Sequence, residues 1–405
     1  MKKIVATILG LFATGLAIGQ TLESYIEQAE ANNPEVQAFE IRYHISQKKI
    51  REAKTLPNTE LSAGLFISEP ETRTGAQKMR FSIKQMLPWF GTVTARENYA
   101  SSLSETDYLE IAIAQRKLRL SVSQAYYKLY AIKANQVVLE ENIQLLKSYK
   151  RLALASVEVG KASAVDVLRL QIRQNEMLEQ LKVLELKFES ESGVFNTLLN
   201  RAQDLEVSIV DNLTIPIGQE EVSIDLGFHP ELEKYDRLFQ SVTQFEELNQ
   251  KESNPNLGFG LDYIPVAERT DMAIADSGKD ILMPMVSLSI PIFNKRYKSI
   301  SAQNKLRKDE IMAQKADRKN LLESILISAI NNTEAAKISY NTQIKNLEEA
   351  GNAEDILIKN YETGTIDFND VLDVQELKLQ FQKKKIEATK DYYSQRAVIN
   401  YLSNQ

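Results

Sequence analysis

Residues 158–171 read EVGKASAVDVLRLQ, and residues 362–375 read ETGTIDFNDVLDVQ. The Glu, the Gly, the Asp-Val-Leu triplet and the Gln of the two stretches recur at a constant offset of 204 residues. Shorter motifs repeat in the same order at nearly the same offset: NPE at 33–35 and HPE at 229–231, PN at 57–58 and 255–256, PWF at 88–90 and PIF at 291–293. A duplication of this extent predicts two similar structural halves in one chain.

The composition is that of a folded, exported protein. The chain has 405 residues, 43% of them hydrophobic, and a net charge of −6, which together argue against disorder. Lys2 and Lys3 precede an apolar run from Ile4 to Ile18 with a small-residue cleavage site before Gln20, so residues 1–19 are predicted to be a secretory signal peptide. The absence of cysteine excludes both disulfides and a lipid-anchoring cysteine.

The distribution of proline predicts very long helices. All ten prolines lie in 34–88 and 216–291, and Leu, Ala, Glu, Lys and Gln dominate the two proline-free stretches. Helices are therefore expected at 92–154, 164–200, 296–358 and 367–403, with shorter helices at 22–54 and 230–252. The first of these would be about 95 Å long, which favours a coiled coil or a helical barrel over a compact core.

Two alternating segments lie between the helices of each half. Apolar residues alternate with polar ones or glycine around 61–67 and 79–87, and again around 257–263 and 286–290. Period two over about ten residues predicts a strand with one apolar face, long enough to cross a bilayer when tilted. We therefore expect β-hairpins at 58–87 and 256–290, within a first repeat at 20–215 and a second at 216–405.

Four strands per chain cannot close a membrane barrel, because lipid does not tolerate open sheet edges. Several chains must then share one barrel, and the spacing alone does not choose three copies over two or four. The expected fold class is mainly α, with a long α-helical barrel and a membrane β-barrel part to which each internally duplicated chain gives four strands.

These features together resemble the TolC family of outer-membrane efflux ducts, over essentially the whole chain after the signal. The resemblance implies a homotrimer with a twelve-stranded barrel in outer-membrane lipid and a helical barrel across the periplasm. It further implies an inner-membrane pump and a periplasmic adaptor as partners, and a duct that conducts substrates passively from them to the exterior. The PWFG stretch at 88–91 faintly resembles the heavy-metal branch of the family.

The resemblance also implies functional positions. Asp370 and Asp373 would line the pore at its narrowest point, as two rings of carboxylates that favour cations. Asp166 and Tyr361 would form a latch that holds the closed state. The arginine that the family places nearby falls at Ile366, so the latch of this chain must differ in detail.

The two helix turns would contact the adaptor. The residues implied by the resemblance are Gly160 and Lys161 in the first turn, and Gly364 and Thr365 in the second. The glycines also suit helix termination, a role compatible with docking.

Other interpretations stay open at this stage. Ser163-x-x-Asp166 and Asp367-x-x-Asp370 also fit capping boxes, in which the acids serve helix stability alone. The five methionines of the strand region could contact soft metal ions or simply fill apolar space.

The chain has no known catalytic or nucleotide-binding motif and only two histidines, so we expect no enzyme activity, cofactor, metal site or nucleic-acid partner. A periplasmic adaptor and a soluble coiled-coil scaffold are the alternative functions.

Overall fold

The computed structural model describes residues 21–160, 163–216, 218, 224–363 and 365–403. The expected signal segment 1–19 lies outside these residues, as do Lys161 and Gly364. The helices are α1 (Leu22–Asn32), α2 (Pro34–Ala53), α3 (Thr92–Glu158), α4 (Ala164–Leu198), α5 (Pro230–Glu252), α6 (Arg296–Thr363) and α7 (Phe368–Leu402). The strands are β1 (Glu60–Leu65), β2 (Glu71–Thr72), β3 (Gly75–Ala76), β4 (Met79–Leu87), β5 (Asn256–Ile264) and β6 (Ile281–Ser289).

The mainly helical fold with four principal strands confirms the fold class expected from the sequence. Helices α3 and α6 run without interruption for 67 and 68 residues, four and five residues past their expected ends. No proline lies within either helix, and the one glycine within α6, Gly351, does not end it, so the helices continue to the turn glycines. Within the described residues, no helix is both long and apolar enough to span a membrane.

The chain divides into two compact units, and each takes segments from both sequence repeats. The sheet unit consists of Gln37–Ala114 and Asp225–Leu322. The tip unit consists of Met1–Val36, Gln115–Ile224 and Glu323–Gln405. The structural units therefore cut across the predicted repeats at 20–215 and 216–405, because α3 and α6 each contribute to both.

The sheet unit holds an antiparallel sheet with strand order β1-β4-β5-β6. The first hairpin meets the second where β4 pairs with β5, with Ile83 opposite Leu261 and Leu87 opposite Leu257. Strands β1 and β6 have only one partner each within the sheet. The connection between β1 and β4 contains a further two-residue ladder, β2 with β3.

The two faces of the sheet differ sharply in character. One face presents apolar side chains to the outside of the chain: Leu61 and Leu65 are each 76% exposed, and Val286 is 73% exposed. The other face carries Gly258 and Gly260 and an ion pair between Arg80 and the fully buried Asp262. This is the alternation of a sheet with one apolar and one polar face.

Glycine is required on the polar face. A Cβ on Gly258 would lie 2.3 Å from the Ser287 hydroxyl oxygen and 2.5 Å from the Met86 sulfur, closer than any real side chain sits. The side chains of β4 and β6 therefore occupy the space above β5.

In the tip unit, an extended connector after α4 is held by tyrosine hydroxyl groups. Three of them accept backbone N–H donors of the connector, and two donate to its carbonyls, because Tyr25 also donates to Ser208 at 3.4 Å. The bonds are Ser208 N–H to Tyr25 (2.9 Å), Val210 N–H to Tyr126 (3.2 Å), Leu213 N–H to Tyr130 (3.2 Å) and Tyr393 O–H to the Thr214 carbonyl (2.7 Å). The connector thereby satisfies its backbone groups without joining a sheet.

Candidate functional site: the paired helix turns

The first turn of the tip unit ends α3 in a left-handed residue. Gly160 has a φ of +71°, and its N–H donates to the Val157 carbonyl at 3.0 Å. This region of backbone space favours glycine because other L-residues are strained there. A Cβ at Gly160 would meet no atom within 4 Å, so the conformation, and not crowding, selects glycine.

The second turn closes α6 through Thr365. The Thr365 N–H and hydroxyl both donate to the Asn360 carbonyl, at 3.0 and 2.8 Å. This N–H bond, which spans five residues back to the last turn of the helix, is the one that defines a Schellman motif. Helix α7 then begins behind Asp367, whose carboxylate accepts the Asn369 N–H at 2.9 Å.

One apolar core joins the four helices that these turns connect. Tyr361 and Phe368 form its centre near the turns, with an edge contact of 4.7 Å between their rings. The buried members of this core are Leu139, Ile143, Leu146, Tyr149, Ala153, Leu170, Met177, Tyr361, Phe368, Val371, Leu372 and Leu379.

Asp166 serves as a helix cap. Its carboxylate accepts the Ser163 N–H at 3.3 Å, and the Ser163 hydroxyl accepts the Val165 N–H at 3.1 Å, which completes a capping box. The carboxylate is buried, and the guanidinium of Arg169 lies 4.0 Å from it. The capping interpretation therefore accounts for Asp166 without a second role.

Tyr361 lies near Asp166, but the two do not form a direct hydrogen bond in the described structure. Burial raises the pKa of the Tyr361 hydroxyl, the side chain of Ser156 lowers it, and the charges of Asp166 and Asp367 raise it again. The hydroxyl oxygen is buried without a hydrogen bond of normal geometry to the described residues. The latch between Asp166 and Tyr361 thus stays a prediction.

Ile366 takes part in packing. It is partly buried against the core that contains Tyr361 and Phe368. The position at which the resemblance expects an arginine is therefore an apolar contact in this chain.

Asp370 and Asp373 lie together on the exposed face of α7. The buried residues Phe368, Val371 and Leu372 occupy the opposite face of the same turns. Asp370 is the third residue of its helix, as Asp166 is of α4. In the described structure, however, the Asp370 carboxylate does not accept the Asp367 N–H, so the capping box is incomplete. Capping therefore explains Asp166 better than Asp370, and pore lining by Asp370 and Asp373 stays a prediction.

The predicted docking residues are only partly described. Gly160 and Thr365 are exposed at the ends of α3 and α6. Lys161 and Gly364 lie outside the described residues. Their contact with an adaptor stays a prediction.

Sequence reasoning missed a set of polar contacts between the two repeats. Within the tip unit, helices α3 and α4 are bonded to α6 and α7 through side chains that we term the cross-repeat seam. Its bonds join Tyr149 to Glu354, Asn142 to Gln375 and Gln382, Arg169 to Asn369, Arg173 to Glu376, and Lys383 to Gln180.

The repeat offset is a sequence signal for part of these contacts, although not for the bonds of Asn142, which span 233 and 240 residues. Tyr149 and Glu354 are 205 residues apart, and both Arg173–Glu376 and Gln180–Lys383 are 203 apart. These separations nearly equal the offset of the repeat, so equivalent positions of the two halves meet side by side.

Part of the chain is similar in sequence to a known family. Residues 25–188 match the family model of the outer membrane efflux protein. No curated protein sequence matches the chain.

Solved structures with the same fold cover nearly the whole chain. The outer membrane protein VceC of Vibrio cholerae superposes with a TM-score of 0.73 at 17% identity, over 94% of this chain and 95% of that one. The CmeC outer membrane channel of Campylobacter jejuni gives 0.71 at 15% identity, over 94% and 85%. The open state of the MtrE outer membrane channel of Neisseria gonorrhoeae gives 0.68 at 16% identity, over 95% and 90%.

Proposed function

We propose that this chain is the exit duct of a tripartite efflux system, because residues 25–188 match the outer membrane efflux protein model and the fold is similar to that of solved outer-membrane channels. Three copies form the duct in the outer membrane. Substrates pass through it without chemical change, and a partner pump in the inner membrane supplies the energy. The solved structures of similar fold include outer membrane channels, and this likeness supports conduction over catalysis.

The four-stranded sheet provides the main support for this proposal. Its outward face of leucine, valine and phenylalanine suits hydrocarbon, and β4, β5 and β6 each have the nine residues that a tilted membrane strand needs. Its edge strands β1 and β6 have backbone groups without a partner strand, which lipid does not tolerate. Four antiparallel strands put β1 and β6 in opposite directions, so β6 of one copy can continue the antiparallel order with β1 of the next.

The acidic face of α7 supports a constriction in the tip unit. In a trimer, Asp370 and Asp373 give two rings of three carboxylates. Rings of like charge attract cations and resist full ionisation of all their members. The duct would then pass or hold cations at this level.

The exposed turns support docking of a periplasmic adaptor. Gly160 and Thr365, with Lys161 and Gly364 beside them in sequence, follow helices whose last turns accept hydrogen bonds from these turn residues. A surface whose backbone is already satisfied can accept another helical hairpin without rearranging. The adaptor would connect the duct to the pump.

A planar-bilayer recording of the purified protein tests the proposal. The duct predicts stable ion conductance from detergent-solubilised trimers and retention in the outer membrane after a high-salt wash. A soluble scaffold or an adaptor would leave the membrane in the wash and would give no conductance, and either result would overturn the proposal.

A further inference from the structure

Exposed apolar side chains mark the end of the sheet that is joined to the long helices. Between β4 and α3 the Phe90 side chain is 78% exposed, and between β6 and α6 Ile292 and Phe293 are 73% and 96% exposed. Phe90 and Phe293 hold equivalent positions of the two repeats, in the PWF and PIF motifs. Both joints therefore continue the apolar character of the sheet beyond its last paired residues.

Four exposed basic residues surround these joints. Lys295, Arg296 and Lys298 lie at the start of α6, and Lys251 lies in the last turn of α5. The Lys251 side chain reaches the first joint, because a Cβ on Gly91 would be 3.6 Å from its ammonium nitrogen. In the described part of the chain, none of the four forms an ion pair with a carboxylate.

The end of α5 contacts both joints, so the four cations belong to one surface. The amide of Asn249 donates to the Tyr297 carbonyl at 3.0 Å and to the Ser301 hydroxyl at 3.1 Å, both in the first turns of α6. The same end of α5 contacts α3, where Arg96 pairs with Glu252 at 3.2 Å. We term the surface formed by residues 88–92, 251–255 and 290–298 the helix-side rim.

Nearby acids do not neutralise the helix-side rim. Glu252 is paired with Arg96, and Glu246 accepts hydrogen bonds from Ser301 and Asn304 at 2.6 and 2.7 Å. Glu247, one turn before the basic residue of α5, forms no ion pair with it in the described structure. The rim therefore keeps an excess of positive charge.

Helix stability does not account for the cations at the start of α6. The N-terminus of a helix carries a partial positive charge, so Lys and Arg are unfavourable there. The first turn of α6 contains no acid and that of α3 is uncharged, whereas the first turns of the other five helices each contain an acid. An anion from outside the chain would offset both the helix dipole and the side-chain charges.

The opposite end of the sheet has a different charge. Its two connections, 66–78 and 265–280, contain six acidic and four basic residues. Among these bases, Arg269 pairs with Asp271 at 2.8 Å. The excess of positive charge therefore distinguishes the end that is joined to the helices.

We propose that the helix-side rim binds the phosphate headgroup of an anionic phospholipid, with Phe90, Ile292 and Phe293 against its acyl chains. The inference rests on the proposed function, since only a sheet within a membrane meets lipid in this way. Apolar and aromatic residues followed by basic ones match the order of acyl chains and phosphate in a leaflet. Lipid bound here fixes the depth of the duct in the leaflet nearest the helices.

The single tryptophan of the chain makes the helix-side rim observable. Trp89 lies in the first joint, with its ring 5.8 Å from that of Phe90. The full-length protein is reconstituted into vesicles of phosphatidylcholine and phosphatidylglycerol, with the same amount of one lipid or the other brominated near the headgroup end of an acyl chain. Bromine quenches tryptophan fluorescence at short range, so the two measurements compare the lipids beside Trp89. We expect phosphatidylglycerol to be enriched about fivefold, the effect of about one basic residue at a membrane surface.

Two variants separate headgroup binding from a change in total charge. The rim variant replaces the four basic residues of the rim with glutamine, and both lipids should then quench equally. The matched control replaces four exposed lysines of the tip unit with glutamine and should keep the wild-type preference. The control lysines are Lys147, Lys187, Lys345 and Lys359. A preference that persists in the rim variant would overturn the inference.

Salt provides a second test that needs no variant. At about 1 M salt, interactions between exposed charges extend only about 3 Å, so the preference of the wild type for phosphatidylglycerol should disappear. A preference that salt does not change would also contradict binding through the phosphate.

Failure of the inference and failure of the proposed function give different results. If the protein enters the vesicles and both brominated lipids quench Trp89 equally, the inference is wrong and the duct remains. If the protein does not enter the vesicles and neither lipid quenches Trp89, the duct itself is wrong.

Discussion

Asp166 and Asp370 occupy equivalent positions in the two repeats and yet have different surroundings. Asp166 is buried and bonded to the start of its helix, whereas Asp370 is exposed beside Asp373. The residue at the position equivalent to Asp373 is Arg169, which neutralises the same face of the first repeat. The duplication has therefore kept a carboxylate in both halves and left only the second half with an acidic face.

The acidic face leads to a prediction about ion block. Replacing both Asp370 and Asp373 with alanine should raise single-channel conductance and weaken block by multivalent cations about tenfold. The physical reason is the loss of ~1–2 kcal/mol of charge attraction at the constriction.

Glu179→Ala is the matched control, because it removes an exposed acid from α4 away from this face. If multivalent cations block the double variant as strongly as the wild type, the constriction lies elsewhere.

Gly160 leads to a second prediction at the same scale. Its φ of +71° costs other residues about 1–2 kcal/mol, although asparagine tolerates this region better. Gly160→Phe should lower the unfolding midpoint slightly and abolish export while trimers still reach the membrane, because a large side chain would stand at the turn where we propose that the adaptor docks. Gly160→Asn should retain most stability.

Export assays of the two variants, with membrane trimer levels as the control, check this prediction. Normal export by Gly160→Phe would show that the first turn is not a docking point.

At the scale of elements, the sequence predicts the long helices and the strands well, because proline placement and period-two alternation are local signals. The ends of α3 and α6 lie further on than expected, since they depend on the backbone of single residues such as Gly160. The ladder of β2 with β3 carries too few residues to show a period. The bond from Tyr149 to Glu354 could not be predicted from either helix alone, because it requires the register between two helices.

The aromatic cluster of the tip unit predicts a loss of stability in alkali. Burial raises the pKa of Tyr127 to about 12, and the neighbouring Tyr393 and Tyr126 add to the shift. A tyrosine whose pKa is raised on folding stabilises the fold fully below its unfolded value, near 10, and this contribution disappears as the pH rises to about 12. The free energy of unfolding should therefore fall by about 3 kcal/mol across that window.

Tyr127→Phe should remove this part of the pH dependence, and denaturant unfolding at several pH values measures it. Tyr108→Phe, at an exposed tyrosine, should behave as the wild type does. An equal alkaline loss in Tyr127→Phe would show that another group carries the effect.

At the scale of the molecule, the duplication appears as contacts between equivalent positions. In the tip unit Tyr149 bonds to Glu354, 205 residues away, and in the sheet unit the Arg80 guanidinium donates to the Met285 sulfur at 3.9 Å over the same separation. Each unit therefore shows the two repeats side by side. This side-by-side arrangement of the two repeats still leaves β1 and β6 without a partner strand on the outer edges of the sheet.

The most direct test of the account is cross-linking between the two edge strands. The chain contains no cysteine, so single cysteines can be placed at Ser62 or Gly64 on the polar face of β1 and at Met285 or Ser287 on the polar face of β6. If three copies close one barrel, one combination should form disulfides between neighbouring chains and yield covalent trimers in the outer membrane, reversible by a reductant. If every combination leaves only monomers in membranes that contain the protein, the shared barrel is contradicted.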